Sequence, residues 1–253
     1  MAEPTLTRQV LDRLGSDIVT GAIPSGAVLR TQDLQVQFDV SRSVIRDVLR
    51  SLKSMNLVQA KRSVGITIRP PQDWDMFAKD VIRWRLASAD WRRQLQSLAV
   101  VRAAIEPVAA GLAARTPDHA EVGAELSRIA ATMREAGERG DPDVSLDADI
   151  HFHLLILRRC GNEMLAALDE VVEQVLRARH ELRLRPEHPH QVPMVLHQLV
   201  ATAIGEGDPA AAEAAMRLLV VEVIEDVARQ SGTAALTPLR ALSTGQSGTA
   251  AND

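Results

Sequence analysis

Residues Val40 to Lys53, Val-Ser-Arg-Ser-Val-Ile-Arg-Asp-Val-Leu-Arg-Ser-Leu-Lys, have one regular conformation that gathers their apolar side chains on a single side. At about 100° per residue, Val44, Ile45, Val48, Leu49 and Leu52 form one stripe, while Arg42, Arg46, Arg50 and Lys53 lie within about 80° of each other on the adjoining face. The spacing predicts a helix with a packing side and a rail of positive charge. Ser41 stands at the N-cap position, so the first turn opens with free backbone N–H groups beside Arg42, an arrangement suited to a phosphate and to base edges. An ordinary solvated helix carries charge of this kind too, so the flanking residues decide the reading. Ahead of it, Thr31 to Phe38 reads as a short helix with Thr31 as cap and Leu34 and Phe38 inward, followed by a tight turn at Asp39 and Val40. Behind it, Leu57 to Arg69 holds two short alternating runs around a basic turn at Lys61 and Arg62 with Gly65. Helix, turn, helix and basic hairpin make a winged helix-turn-helix. Arg42, Ser43, Arg46, Arg50, Lys61, Arg62 and Gly65 are its candidate DNA-contacting residues.

The net charge of −4 argues against a nucleic-acid partner only while it is taken as an average. Residues 1–70 hold ten Lys/Arg against six Asp/Glu, a net of +4, which leaves −8 for the remainder. A basic module joined to an acidic body is the pattern of a DNA-binding head on a domain with another task. The single cysteine, Cys160, excludes an intramolecular disulfide and fits a reducing compartment; it lies in an apolar helical run and reads as a buried, inert thiol. No stretch is expected to span a membrane and no secretory leader is seen, so the expected location is the cytoplasm. Aromatic residues make up 2% with no Tyr, which disfavours stacking platforms for single strands or RNA.

Taken in order, residues 5 to 20 form a first helix with Leu6, Val10, Leu14 and Ile18 at steps of four, ended by Gly21 and expected to pack on the recognition helix. The head therefore covers residues 1–69. Arg69-Pro-Pro-Gln-Asp-Trp-Asp stops regular structure, and residues 70–90, with Trp74, Phe77, Ile82, Trp84 and Leu86, read as a linker helix packed between head and body. From 91 to 231 nearly every window has helical period. Breaks fall at Thr116-Pro117, Gly140 to Pro142, Gly161, Arg185 to Pro193 and Gly205 to Pro209. About six helices follow, with no alternating pattern, so the expected fold is mostly α: a winged helix-turn-helix, then an all-α antiparallel bundle. Pro107 should kink the helix that contains it. Residues 232–253 turn to Gly, Thr, Ser, Ala and Asn and read as a disordered tail.

Within the body, Leu146-Asp-Ala-Asp-Ile-His-Phe-His-Leu-Leu-Ile156 places Asp149 and His153 four residues apart on a face shared with Leu146, Ile150, Ile156 and Leu157. A carboxylate and an imidazole directed into an apolar core are either a hydrogen-bonded pair kept for packing or part of a site. His197 borders the stripe of Leu196, Leu199, Val200, Ala203 and Ile204, and Arg102 borders that of Leu98, Val101, Ile105 and Leu112. One Asp and two His that converge in a bundle form an open three-ligand set for a divalent metal of the Zn²⁺ or Ni²⁺ type. A nearby Arg would hold a carboxylate, so the pocket suits a small organic acid. Asn162 and Arg177 are further effector candidates. Asn162 could equally cap a helix, and Arg177 could be a surface charge.

The chain resembles the GntR family of bacterial transcription regulators. The resemblance rests on Gly21 to Leu29, on Val40 to Leu49 across the turn and recognition helix, and on Gly65 in the wing. It implies Arg42 and Arg46 as DNA contacts and Gly65 as the point where the wing backbone nears the minor groove; Gln32 stands where some members carry a basic residue. The body is similar to the FCD-type ligand-binding domain of the FadR branch: Asp149 to His153 followed by Gly161-Asn162, then His197, Gly207-Asp208 and Ala215-Met216-Arg217, with Arg102 to Pro107 before them. This implies Asp149, His153 and His197 as metal ligands and Arg102 as an effector contact. Leu219 occupies the place of a usual third histidine, which implies at most three protein ligands. Trp74 to Trp84 and Met216 to Leu219 resemble the group of that branch that governs galactonate operons, which implies a sugar acid or a related 2-keto-3-deoxy acid as effector. The expected protein is a homodimeric repressor that reads a palindromic double-stranded operator and answers to such an acid, and not an enzyme. The rival reading is a metalloenzyme that uses the same donors on a small carboxylate.

Overall fold

The computed structural model describes residues 5–61, 65–182 and 191–231, divided into two compact units, residues 1–94 and 95–253. The tail at 232–253, residues 185–190 of the break expected to run to Pro193, and the wing residue Arg62 lie outside the described residues; residues 191–193 of that break are already helical.

In the N-terminal unit, α1 (Leu6–Val19) is capped by the Thr5 hydroxyl, and its Val10, Leu11, Leu14 and Ile18 are buried as the steps of four require. Residues Val28–Leu29 form β1, a strand the sequence reading missed because two residues are too short to show alternation. Next come α2 (Thr31–Phe38) and α3 (Arg42–Ser54). Asp39, at φ 50°, ends α2 in the left-handed conformation, and this makes the tight turn. The expected cap at Thr31 is corrected: Thr31 is already helical, and Arg30 is the N-cap residue with no side-chain cap bond. Strands β2 (Val58–Lys61) and β3 (Gly65–Ile68) pair antiparallel, Val58 opposite Ile68 and Lys61 opposite Gly65. β1 adds to the far side of β3, giving the order β1-β3-β2. Ile45, Val48 and Leu52 of α3 are fully buried in one core with α1, Leu34 of α2 and Ile68.

The segment after the double proline belongs to this same unit. Helix α4 (Lys79–Leu86) lies on α1, and Trp74, Val81 and Trp84 are members of the N-terminal core. Gly15 is what lets the indole in, since a Cβ there would lie 2.2 Å from Trp84 Cη2. Charges fasten the edge of the same contact. Arg8 holds Asp80 with two bonds, Nη2–Oδ1 2.5 Å and Nη1–Oδ2 3.0 Å. Arg83 bridges Asp80 and Asp12, and Trp84 Nε1 donates to Asp12 Oδ1 at 3.2 Å.

The C-terminal unit is helical throughout its described residues. α5 begins at Trp91 and runs to Ala113, α6 is His119–Arg139, α7 Pro142–Arg159, α8 Glu163–Ala166, α9 Asp169–Glu181, α10 Gln191–Gly205 and α11 Pro209–Ser231. The short α8 is the element beyond the six expected. α5 continues without a break through Pro107. It also departs from the expectation that no stretch is long and apolar enough for a membrane, since an 18-residue window reaches a mean hydropathy of 1.3. Its apolar length is answered by protein: Ala99, Ala103, Ala109, Ala110 and Ala113 lie in the core of this unit, and its Arg102 and Glu106 are buried as an ion pair. α6 packs on α7 and α10, α10 on α11, and α7 on α9.

The Asp80 network predicts a pH signature. Burial pushes the Asp80 carboxyl up, but Arg8 and Arg83 overrule it and hold it below the usual carboxylate range. Its contribution is therefore present above the unfolded pKa of about 3.9 and is lost as pH falls through the lower folded value. Asp80→Asn should lower unfolding free energy by about 1 kcal/mol at pH 7, and by clearly less at pH 3, as read by urea unfolding at the two pH values.

Candidate metal centre and nucleic-acid interface

Helix α7 is placed by its own ends. The Asp141 side chain accepts from Val144 N at 3.2 Å, Pro142 occupies the first turn, and Arg158 and Arg159 close the last turn where cations suit the helix dipole. Asp149 and His153 thus fall in the middle of the helix, among buried Leu146, Ile150, Phe152, Ile156 and Leu157. His151 is exposed. From α10, His197 is directed to the same point, with its Nε2 3.2 Å from Asp149 Oδ1; His153 Nε2 is 3.5 Å from that oxygen. One ligating atom from each of the three residues lies within 4.8 Å of the other two. Metal–nitrogen bonds of about 2.1 Å arranged as a tetrahedron have edges of about 3.4 Å. The two distances from Asp149 Oδ1 match such an edge, which makes the three residues a candidate set for a divalent ion. Phe152 stands edge-on to both rings, with centroids 5.8 Å from His153 and 4.9 Å from His197.

From α5 comes a buried pair of opposite charge. Arg102 Nε donates to Glu106 Oε1 at 2.5 Å and Nη2 to Oε2 at 3.2 Å, with both side chains at most 2% exposed. The other side of Glu106 reaches the histidine: its Oε2 is 2.6 Å from His153 Nδ1. Arg102 Nη2 also lies 3.3 Å from His153 Nε2, a long contact for a donor already bonded to Glu106. Burial would raise the Glu106 carboxyl, yet Arg102 and His153 hold it down to about 2. Burial likewise opposes ionisation of Asp149, and its hydrogen bonds to His153 and His197 hold it well below the usual range. His153 is raised: burial lowers it, and Glu106 and Asp149 more than offset that. Arg102 Nη1 is buried and has no hydrogen-bond partner among the described residues.

The structure brings together Asp149, His153, His197 and Arg102, and it adds Glu106. Glu106 had no expected role, and its place four residues after Arg102 is the signal in the sequence that points to it. Two effector candidates are elsewhere. Asn162 is exposed and spent as the α8 cap, its Oδ1 accepting from Met164 N at 3.0 Å and Leu165 N at 3.2 Å. Arg177 is half-buried and holds Glu173 at 2.7 Å and Asp147 at 3.6 Å, which are surface pairings. Leu219 is buried in the core of the same unit. Gln174 and Arg179 of α9 are buried polar residues the sequence reading did not single out.

In the head, Arg42, Ser43, Arg46 and Arg50 are exposed along α3 while its other face is buried. Ser41 caps the helix, its hydroxyl accepting from Val44 N at 3.4 Å. Arg50 pairs loosely with Asp47 at 3.3 Å; Arg42 and Arg46 make no ion pair among the described residues. Lys61 is exposed at the end of β2, opposite Gly65. Gly65 sits at φ 116°, a conformation that favours glycine, with Val28 Cγ1 3.4 Å from where a Cβ would be.

These two units define a class of protein, a winged helix-turn-helix followed by an all-helical domain. The profile of bacterial regulatory proteins of the gntR family matches residues 6–68, and that of the FCD domain matches residues 97–222. The HTH-type transcriptional regulator LutR of Bacillus subtilis (strain 168) is 30% identical over 212 residues, covering 81% of this chain and 92% of that protein. The galactonate operon transcriptional repressor of Escherichia coli (strain K12) is 28% identical over 218 residues, 85% of this chain and 93% of that one. The fold is also that of the solved structure of Lar, described as controlling the agr system of Listeria monocytogenes, with a TM-score of 0.55 at 16% identity over 90% of this chain and 99% of that chain. The chain belongs to the GntR family and is a transcriptional regulator of the type that carries an FCD domain.

The buried pair makes a direct prediction. Glu106→Leu strands the Arg102 charge and should cost about 3–5 kcal/mol of unfolding free energy, whereas Arg102→Met combined with Glu106→Leu should recover most of it, because an apolar pair of similar volume is often neutral. Equilibrium denaturation of the two single variants, the double variant and the unaltered protein gives the comparison.

Proposed function

We propose that the protein is a homodimeric repressor, working in the cytoplasm, whose hold on a palindromic operator is released by a small organic acid bound beside a divalent metal in the FCD domain. The observation that carries this reading is the unpartnered Nη1 of buried Arg102 next to three donors spaced for a metal. A buried donor without an acceptor costs about 1–3 kcal/mol, and a ligand oxygen removes that cost. Asp149, His153 and His197 would hold the ion, and with Leu219 in place of a further donor its remaining positions are left for oxygen ligands. When bound, a Zn²⁺- or Ni²⁺-type ion supplies a Lewis-acidic anchor for a carboxylate.

Charge narrows the ligand. Arg102 and Glu106 cancel, and Asp149 offsets half of a divalent ion, which leaves one positive charge in an apolar bundle. A monoanion balances it. The name of the Escherichia coli relative supports a sugar acid such as galactonate, and a related 2-keto-3-deoxy acid has the same charge and chelating oxygens. Asn162 and Arg177 have no part in this proposal, because their side chains are committed elsewhere.

In the head, Arg42, Ser43 and Arg46 enter the major groove from the start of α3, Arg50 follows the backbone, and Lys61, Arg62 and Gly65 serve the wing. Two copies related by a two-fold axis would read half-sites about 34 Å apart. The support is the exposed, basic first turns of α3 over an opposite face on which Ile45, Val48 and Leu52 are buried. Arg46→Ala should weaken binding to a selected duplex by about 1–3 kcal/mol with helix content unchanged. Normal binding by that variant overturns this placement of α3.

Thermal melting tests the acid site. With Zn²⁺ present, a sugar acid at about 100 times its Kd should add about 2.7 kcal/mol, a rise of several degrees in Tm. Neutral sugars should add nothing, and Asp149→Ala should lose the rise. A metalloenzyme would instead consume the acid, and this proposal predicts none consumed.

A further inference from the structure

We propose that Glu106 is the positioning residue of the metal site, the group that fixes which nitrogen of His153 faces the ion and ties that histidine to the effector arginine. This rests on the metal reading above. Glu106 is 1% exposed and cannot swing away, because Arg102 grips it through Nε at 2.5 Å and Nη2 at 3.2 Å. A carboxylate so held, 2.6 Å from His153 Nδ1, requires that Nδ1 carry the proton and donate it. The other nitrogen, Nε2, which faces Asp149 Oδ1, is then the one that would give up its proton to a metal and offer it a lone pair. Phe152 lies edge-on to this ring, with centroids 5.8 Å apart.

The choice of a carboxylate as acceptor has a further consequence. A charged acceptor behind the imidazole makes the metal-facing nitrogen a stronger donor than a carbonyl would, which raises affinity in a site limited to three protein ligands by Leu219. The same carboxylate also touches the arginine offered to the acid. Whatever draws Arg102 toward an incoming carboxylate loosens or tightens its grip on Glu106, and His153 feels the change. Metal and acid are therefore coupled through one side chain, and each must alter the affinity for the other by the same factor.

Zinc affinity measured by chelator competition on the full-length protein tests this, with thermal melts and circular dichroism reporting folding. Glu106→Gln keeps size and an acceptor but removes the charge, and it should weaken Zn²⁺ binding about 10- to 100-fold. Arg102→Met with Glu106→Gln, compared with Arg102→Met alone, should show a loss of the same order without the stranded guanidinium. That double variant, compared with Arg102→Met, replaces the single variant should the latter not fold. In the zinc-loaded protein the His153 Nδ1 proton should resonate far downfield and move upfield in Glu106→Gln, a change that a purely structural role would not produce. A folded E106Q protein that binds Zn²⁺ as tightly as the unaltered one overturns the inference alone. Absence of zinc uptake by the unaltered protein overturns it together with the metal reading.

Discussion

A guanidinium cannot be enclosed in an apolar helical bundle without a counter-charge, and Arg102 sits in such a bundle at 2% exposure. Glu106 answers that charge one helical turn away, and the rest of the site follows from it. The carboxylate is bound on one side by arginine and on the other by His153, so the histidine is oriented from α5 even though it belongs to α7. His153 in turn shares Asp149 with His197 of α10. Three helices are joined through polar contacts in the middle of their shared core. A polar chain of this kind costs stability unless each member is satisfied, and the atom it leaves over, Arg102 Nη1, is where the proposed acid would bind.

The head is held by a different kind of contact. Its three-helix core is apolar and local, and α4 is fixed to α1 by an indole over Gly15 and by carboxylate–arginine bonds at the rim. The residues after the double proline thus behave as part of the DNA-binding unit and not as a loose tether. Only residues 87–90 separate the end of α4 from the start of the helix that carries Arg102 and Glu106. The covalent path between the two functions is short, and both of its ends are helical. Control of the head by the proposed acid needs only two arrangements of these helices that the ligand weighs differently.

How much of this could be read in the sequence depended on the kind of signal. Helices α1, α3 and α7 were legible because their apolar residues recur with helical period and their caps, Thr5, Ser41 and Asp141, are of capping type. The first residue of α2 was misjudged because Thr31 resembles a cap; the helix starts at Thr31 itself, and Arg30 stands at the N-cap position. Strand β1 escaped because two residues have no period, and it exists only by pairing with β3. Asp149, His153 and His197 were visible as polar residues on apolar stripes. Glu106 was not, since one glutamate on a helix is ordinary until its burial is known. Asn162 and Arg177 each had two readings in the sequence, and their local bonds are those of a helix cap and a surface charge.

The central claim is that an acid held beside Arg102 controls the grip of α3 on DNA. It is tested by fluorescence anisotropy of the full-length, zinc-loaded protein on a duplex selected from random sequence, with and without a sugar acid, for the unaltered protein and for Arg102→Met. The account predicts that the acid weakens binding by about tenfold or more in the unaltered protein, an ordinary allosteric coupling, and leaves Arg102→Met bound as before. An unaltered protein whose affinity for the duplex is the same with and without every sugar acid, or an Arg102→Met protein that responds in full, would contradict it.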